Sequence, residues 1–322
     1  MAMLDRFLVA LALAAAPLAA FGQAFPDRPV RVVVVDPPGS AVDVVTRLVS
    51  DQLTTHLKQP VVIENRPGAS GTIAANIVAQ SKPDGHTLFM TGTFTEAIVP
   101  FAMEKMPYDY RTALVPVSEV ARLPFVLVVP GTSKLTTMGE VAAYAKGKAG
   151  GLTVGGLPRG SGLHLTWETI AERMGIPSTY VAYNSSNQLQ TDLVSGNFDI
   201  AIDTIGSARG FIQAGRTRGM AMTSSVRSLA LPGVPTLGES GVSGLEVIVW
   251  VGMLAPAGTP ADRMAVLEKA MIESARAEPV RAKLQEIGYI VTGRTGAEMA
   301  ETIRQDRQRF EPLVKRLGIK MN

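Results

Sequence analysis

Along this chain, short runs of consecutive apolar residues alternate with stretches whose apolar positions recur every three or four residues, which predicts strands and helices in turn. The clearest case is Arg31-Val-Val-Val-Val-Asp36. Four successive valines predict a strand buried on both faces, Pro37-Pro38-Gly39 breaks it, and Ser40 or Asp43 caps a helix predicted over residues 44–56. A second buried strand over 60–64 leads into the glycine-bearing loop 65–71, a helix over 73–81 and a third strand over 87–90, which runs into Thr91-Gly-Thr-Phe-Thr95. In an open parallel sheet the loops that follow such strands share one edge. A helix that starts there presents unpaired N–H groups and the positive end of its dipole, so it can hold an anion without a basic side chain.

Two further apolar runs, 116–121 and 125–129, flank Arg122-Leu-Pro124, and the second carries the chain into a new series. That series reads as a helix over 136–148 capped by Thr137, a strand over 152–154, the long loop 155–164, a helix over 165–174 and a strand over 179–183. It continues with the loop 184–187, a helix over 189–195, a strand over 198–202 with Asp203-Thr204 at its end, a helix over 208–214 and a strand over 218–223. Glycines and prolines between 232 and 244 mark an irregular crossing, followed by a strand over 248–255 and helices over 261–277, 280–287 and 297–317. The second half repeats the logic of the first.

Composition narrows the class. With 322 residues, 46% of them hydrophobic, the chain can bury two cores. Residues 7–21 form one long apolar stretch, preceded by Arg6 and followed by Gly22-Gln-Ala24, which predicts a secretory signal over 1–24 cleaved near Ala24, with an uncleaved anchor as the alternative. Export to the periplasm or beyond is expected. The net charge of +3 implies no nucleic-acid partner, and no cysteine and three scattered histidines leave no expectation of a metal. Neither a Gly-x-Ser-x-Gly, a Gly-x-Gly-x-x-Gly nor a Gly-Lys-Ser/Thr motif stands in a catalytic or cofactor context, so neither an enzyme nor a cofactor is expected.

Several segments, in order, resemble the Bug-type periplasmic receptors of tripartite tricarboxylate transporters. They include Pro26-Asp-Arg-Pro29, Pro37-Pro-Gly39 with Asp43, Val62-Ile-Glu-Asn-Arg-Pro-Gly68 and Pro83-Asp-Gly85. Further on they are Pro107-Tyr-Asp109, Gly160-Ser161 with His164-Leu165, Thr191-Asp-Leu193, Ala230-Leu-Pro-Gly-Val-Pro-Thr236, and Trp250 with Leu254-Ala-Pro-Ala-Gly-Thr-Pro260. The resemblance implies a type II periplasmic binding protein fold, α/β, with two doubly wound lobes joined by a two-crossing hinge that closes on ligand. Lobe 1 would comprise residues 25–123 and 249–322, and lobe 2 residues 124–248. It also implies a small organic acid as ligand, held by main-chain N–H groups and hydroxyls, and the membrane subunits of a tripartite transporter as partners. A sensor kinase is the alternative partner, and a monomer is expected.

Carried over by position, the implied ligand contacts are Pro38, Gly39 and Ala41 with Ser40 between them, then Thr91 and Thr93 from lobe 1. Lobe 2 would supply Ser161, His164, Tyr183, Asn184 and Asp203. This chain departs from the family pattern at Ser40 and Val42, at Glu96, and at Asn184-Ser185, where the family often carries Lys-Gly; Arg159 is the candidate to restore a charge. Bland roles compete for several residues. Asp43 is expected to cap its helix, His164 to satisfy a first turn, His56 and His86 to be exposed, Trp250 to pack at the lobe junction, Met220, Met222 and Met253 to fill core gaps, and the arginines of the last helix to face solvent.

Overall fold

The computed structural model describes residues 25–321, so the predicted signal over 1–24 lies outside the described residues. In chain order the strands are β1 (Val30–Val34), β2 (Val61–Asn65), β3 (Thr87–Gly92), β4 (Leu114–Leu123), β5 (Phe125–Pro130), β6 (Leu152–Gly156), β7 (Ser178–Ala182), β8 (Ile200–Thr204), β9 (Thr217–Met222), β10 (Val249–Pro256) and β11 (Ile290–Thr295). The helices are α1 (Ala41–Leu57), α2 (Thr72–Ala79), α3 (Val99–Ala102), α4 (Met138–Gly147), α5 (Gly162–Met174), α6 (Ser186–Val194), α7 (Ile205–Gln213), α8 (Ala261–Arg276), α9 (Glu278–Glu286) and α10 (Gly296–Arg316). Among the described residues no helix is long and apolar enough to cross a membrane.

The strands form two sheets. One runs β11-β4-β10-β3-β1-β2, with β1 parallel to both β2 and β3 and with β10 antiparallel to β3 and β4. The other runs β7-β6-β8-β5-β9, with β6 parallel to β7 and β8 and with β5 antiparallel to β8 and β9. Each sheet is covered by helices over its own apolar core, as the buried strands β1, β3 and β10 require in the first; β2, expected to be buried, is instead an edge strand with Val62 51% exposed. Met220, Met222 and Met253 are buried in these cores.

The crossing between sheets is abrupt. β4 ends at Leu123 and β5 begins at Phe125, leaving Pro124 alone between them. The return path runs beside it: Phe125 N–H donates to Oγ1 of Thr223 at 2.9 Å, and Thr223 N–H donates to the carbonyl of Phe125 at 3.0 Å. Arg122 before the first crossing lies 3.5 Å from Glu246 before the second. The two crossings are therefore neighbours, the arrangement that a hinge between two lobes needs.

Four helices, α1, α5, α6 and α7, begin about a turn earlier than periodicity predicts, and in three of them a capping hydroxyl marks the start. Ser40, Ser161 and Thr204 sit in extended backbone, and each hydroxyl accepts from the N–H three residues on, those of Asp43, His164 and Ser207. The cap lengthens each helix toward the sheet edge by a turn. Three other features escaped the sequence. A π-helical turn over Phe94–Ile98 and α3 follow β3 directly, and β11 is a half-buried edge strand without apolar alternation. His86, expected to be exposed, is 5% accessible and lies between Asp27 and Asp84, 3.0 and 3.3 Å from its two ring nitrogens. Arg307, expected to face solvent, turns inward instead, donating to the carbonyls of Glu96 and Tyr110.

A candidate ligand-binding cleft between the lobes

Two adjoining chambers lie between the sheets and share Val42, Gly92, Phe94 and Gly162 as common walls. The outer chamber, about 350 Å³, is edged by Asp36, Thr95, Arg159, Ser161 and Met321. The inner one, about 220 Å³, runs toward the hinge between Phe125, Leu163, Val249, Trp250 and Tyr289. The outer one is built from loops at the carboxyl ends of β1, β3 and β6, and the inner one adds the crossings and Thr204 at the end of β8.

Two helix N-termini meet here, one from each sheet. Ala41 and Val42 open α1, Gly162 and Leu163 open α5, and all four line the inner chamber. First-turn N–H groups have no partner within their helix. The caps take those of Asp43 and His164, leaving the N–H groups of Ala41, Val42, Gly162 and Leu163 for a ligand.

Buried acceptors fix both loops. Asp43, 1% exposed, accepts from Gly39 N–H at 2.8 Å, Arg47 Nε at 2.9 Å and Asn65 Nδ2 at 2.9 Å. Burial alone would raise its carboxyl, but the bonds from Arg47, Gly39 and Asn65 prevail and hold it below the usual range. On the facing loop, Gly160 N–H donates to Nδ1 of His164 at 3.0 Å. That bond places the imidazole proton on Nε2, 3.6 Å from Glu168, and burial, helped by Arg159, pushes the ring down to about 4. His164 is a neutral strut.

The structure brings some of the expected contacts together and separates others. Ala41, Thr93 and Ser161 line the chambers, although the Thr93 hydroxyl already accepts from Trp250 N–H at 2.9 Å and Ser161 Oγ is committed to its cap. Pro38, Gly39 and Ser40 lie outside the chamber walls on the loop that leads into α1, with Pro38 and Gly39 exposed. Thr91 is fully buried and His164 is packed against Tyr180, so neither reaches a chamber. Tyr183 donates to Asp192 at 3.0 Å and packs on Phe198, while Asn184 is exposed. Asp203 is spent on the fold: it accepts from Ser186, Gln190 and Thr204 N–H, and burial raises its carboxyl against those bonds. Glu96 points away from the cleft to Arg307 at 3.5 Å and is pushed up to about 7 by burial.

Other lining residues carried no local signal. Phe94, Val249 and Tyr289 read as ordinary strand or loop positions, and Met321 stands in the tail beyond α10. Phe125 was marked only by its neighbour Pro124 at the domain crossing. Arg159, flagged from sequence, does line the outer chamber, where it donates to the carbonyl of Tyr180 at 2.7 Å and lies over the Tyr180 ring.

Two α/β lobes, paired crossings and a cavity walled by both lobes define a solute-binding receptor of the type II periplasmic binding fold. Residues 45–319 match the model of the tripartite tricarboxylate transporter family receptors, and the chain belongs to that family. Its members are periplasmic solute receptors, not enzymes. Protein BugT of Bordetella pertussis is 31% identical over 314 residues, 97% of this chain and 96% of its own length, which makes this a Bug-type receptor. A structure of an R. palustris protein with adipate superposes with a TM-score of 0.74 at 31% identity, covering 92% of this chain and 99% of the other. MatC of Rhodopseudomonas palustris with bound malate gives 0.70 at 29% identity, covering 90% and 100%.

Proposed function

We propose that this receptor binds a small organic acid by its carboxylate between the lobes and delivers it to the membrane subunits of a tripartite tricarboxylate-type transporter. The observation that carries the reading is the convergence of the α1 and α5 N-termini on one cavity, since one carboxylate can then take N–H donors from both lobes. A ligand that bridges the lobes binds the closed state more tightly than the open one and so drives closure. Malate in MatC and adipate in the R. palustris protein support a carboxylate ligand. The matching lobe limits are 25–123 with 249–322, and 124–248. Residues 1–24 act as the export signal, cleaved near Ala24, and the mature receptor works as a monomer.

Ala41→Pro tests the grip. Proline is accommodated at the first helical position, and Ser40, with φ −68° and ψ 166°, already has the backbone that precedes a proline. The variant deletes one candidate donor and leaves α1 intact. Thermal-shift screening against malate, adipate and benzoate, with their methyl esters as controls, should find an acid that stabilises the protein and an ester that does not. Ala41→Pro should weaken that acid about tenfold, the loss of one charge-assisted bond. Equal binding of acid and ester would overturn the carboxylate grip.

A further inference from the structure

The inner chamber differs chemically from the outer one. Among the described residues that line it there is no charged side chain, and its walls are set by Leu123, Phe125, Leu163, Val249 and Val251 with Phe94 at the entrance. Its polar side chains are largely engaged elsewhere. Thr93 Oγ1 accepts from Trp250 N–H, Thr204 Oγ1 donates to Ser207 Oγ, and Trp250 Nε1 donates to Asp306. The outer chamber carries one residue of each sign, Arg159 and Asp36, and Arg159 is already held on the carbonyl and ring of Tyr180.

We infer that the ligand is a monocarboxylate with an apolar, ring-sized body, which deepens and rests on the carboxylate reading above. The carboxylate sits at the junction of the chambers, where Val42 and Gly162 are common to both, on the N–H groups opening α1 and α5. The body extends into the inner chamber toward the hinge. Its volume of about 220 Å³ suits that body, since an apolar cavity of roughly 150 Å³ already accepts a benzene. A second carboxylate placed there would lose its water and meet no cation in return. Di- and tricarboxylates are therefore disfavoured. The Tyr289 hydroxyl, kept protonated by burial, is a polar group that remains to meet a hydroxyl or keto substituent on the body.

Isothermal titration of the mature protein with benzoate, hexanoate, butyrate, malate, adipate and citrate tests this. Benzoate or hexanoate should bind at least tenfold more tightly than malate and citrate, and the heat-capacity change should grow more negative from butyrate to hexanoate as more apolar surface is buried. Val249→Phe, which fills the chamber from a half-exposed position, should erase the preference for benzoate over malate. Should that variant not fold, the heat-capacity series on the unaltered protein decides alone. Tighter binding of malate, adipate or citrate overturns the monocarboxylate inference and leaves the receptor reading standing. Stabilisation by none of these acids overturns both.

Discussion

Gly160 and His164 hold each other in place across the first turn of α5: the glycine N–H donates to the buried imidazole at 3.0 Å, and burial, helped by Arg159, keeps the ring neutral so that it can accept. The loop that edges the outer chamber thus depends on a base with no charge to spare. Unfolded, the ring titrates near 6.5; folded, near 4. The unfolded chain binds more protons between those values, so this contribution to stability is complete above 6.5 and is lost as pH falls toward 4. His164→Asn should lack that component of acid destabilisation. His164→Ala, which strands the Gly160 donor, should cost about 1–3 kcal/mol at neutral pH. Urea unfolding from pH 4 to 8 checks both outcomes.

Asp43 organises the opposite loop, and its removal should be felt at two places. Asp43→Ala leaves the Gly39 N–H without its acceptor and the Asn65 amide with only the Asp36 carbonyl, at a cost of about 1–3 kcal/mol. Because the folded carboxyl lies below its ordinary 3.8, the stability it provides is present above that value and disappears as pH drops beneath it. Ligand affinity should fall with it, because the approach of the loop to α1 is no longer fixed. Denaturation and titration on the same preparation separate the two effects.

Glu96 works in the other direction. Its carboxyl is raised from 4.5 to about 7, mainly by burial, with Arg307 opposing. The folded state binds more protons over that range, so stability declines as pH rises from about 4.5 through 7. Glu96→Gln should therefore be more stable, relative to the unaltered protein, at pH 8 than at pH 5. A difference that does not change with pH would mean that Glu96 is already ionised against Arg307 at the lower pH.

Gly92 stands where β3 meets β10 and where both chambers share a wall. A Cβ there would lie 2.8 Å from the carbonyl oxygen of Trp250, a backbone atom that cannot rotate away. Gly92→Ala should cost about 1–3 kcal/mol by overpacking and weaken ligand binding as the strands part. Calorimetric melting with and without benzoate measures both.

How much of this was legible in the chain depends on the range of the interaction concerned. The valine run of β1, the prolines after it and the capping hydroxyls act within a few residues, so strand, loop and helix could be read directly, and Pro124 between two apolar runs gave the crossing. Of the caps, Ser40 was named from the sequence but Ser161 and Thr204 were not, and α1, α5, α6 and α7 began a turn early because periodicity records only where the buried face starts. β11 was lost for the opposite reason: an edge strand exchanges its bonds with β4, and Ile290 to Thr295 show no alternation.

The site divides in the same way. Sequence by itself determined that helix N-termini would gather at the sheet edges and that Ala41, Thr93 and Ser161 would stand near them. The tertiary structure alone decided which polar groups were left for a ligand. Asp203, His164 and Tyr183 had the right chemistry, but other groups consumed it: Gln190 and Asp192, brought from the neighbouring helix, and Gly160 four residues before His164, whose geometry the loop sets. The inner chamber is a product of folding as well, since Phe94, Phe125, Val249 and Tyr289 are far apart in the chain and form an apolar wall only when the two crossings lie side by side. An acceptor that is filled, or a surface that is shared, is a property of the neighbours that the fold supplies.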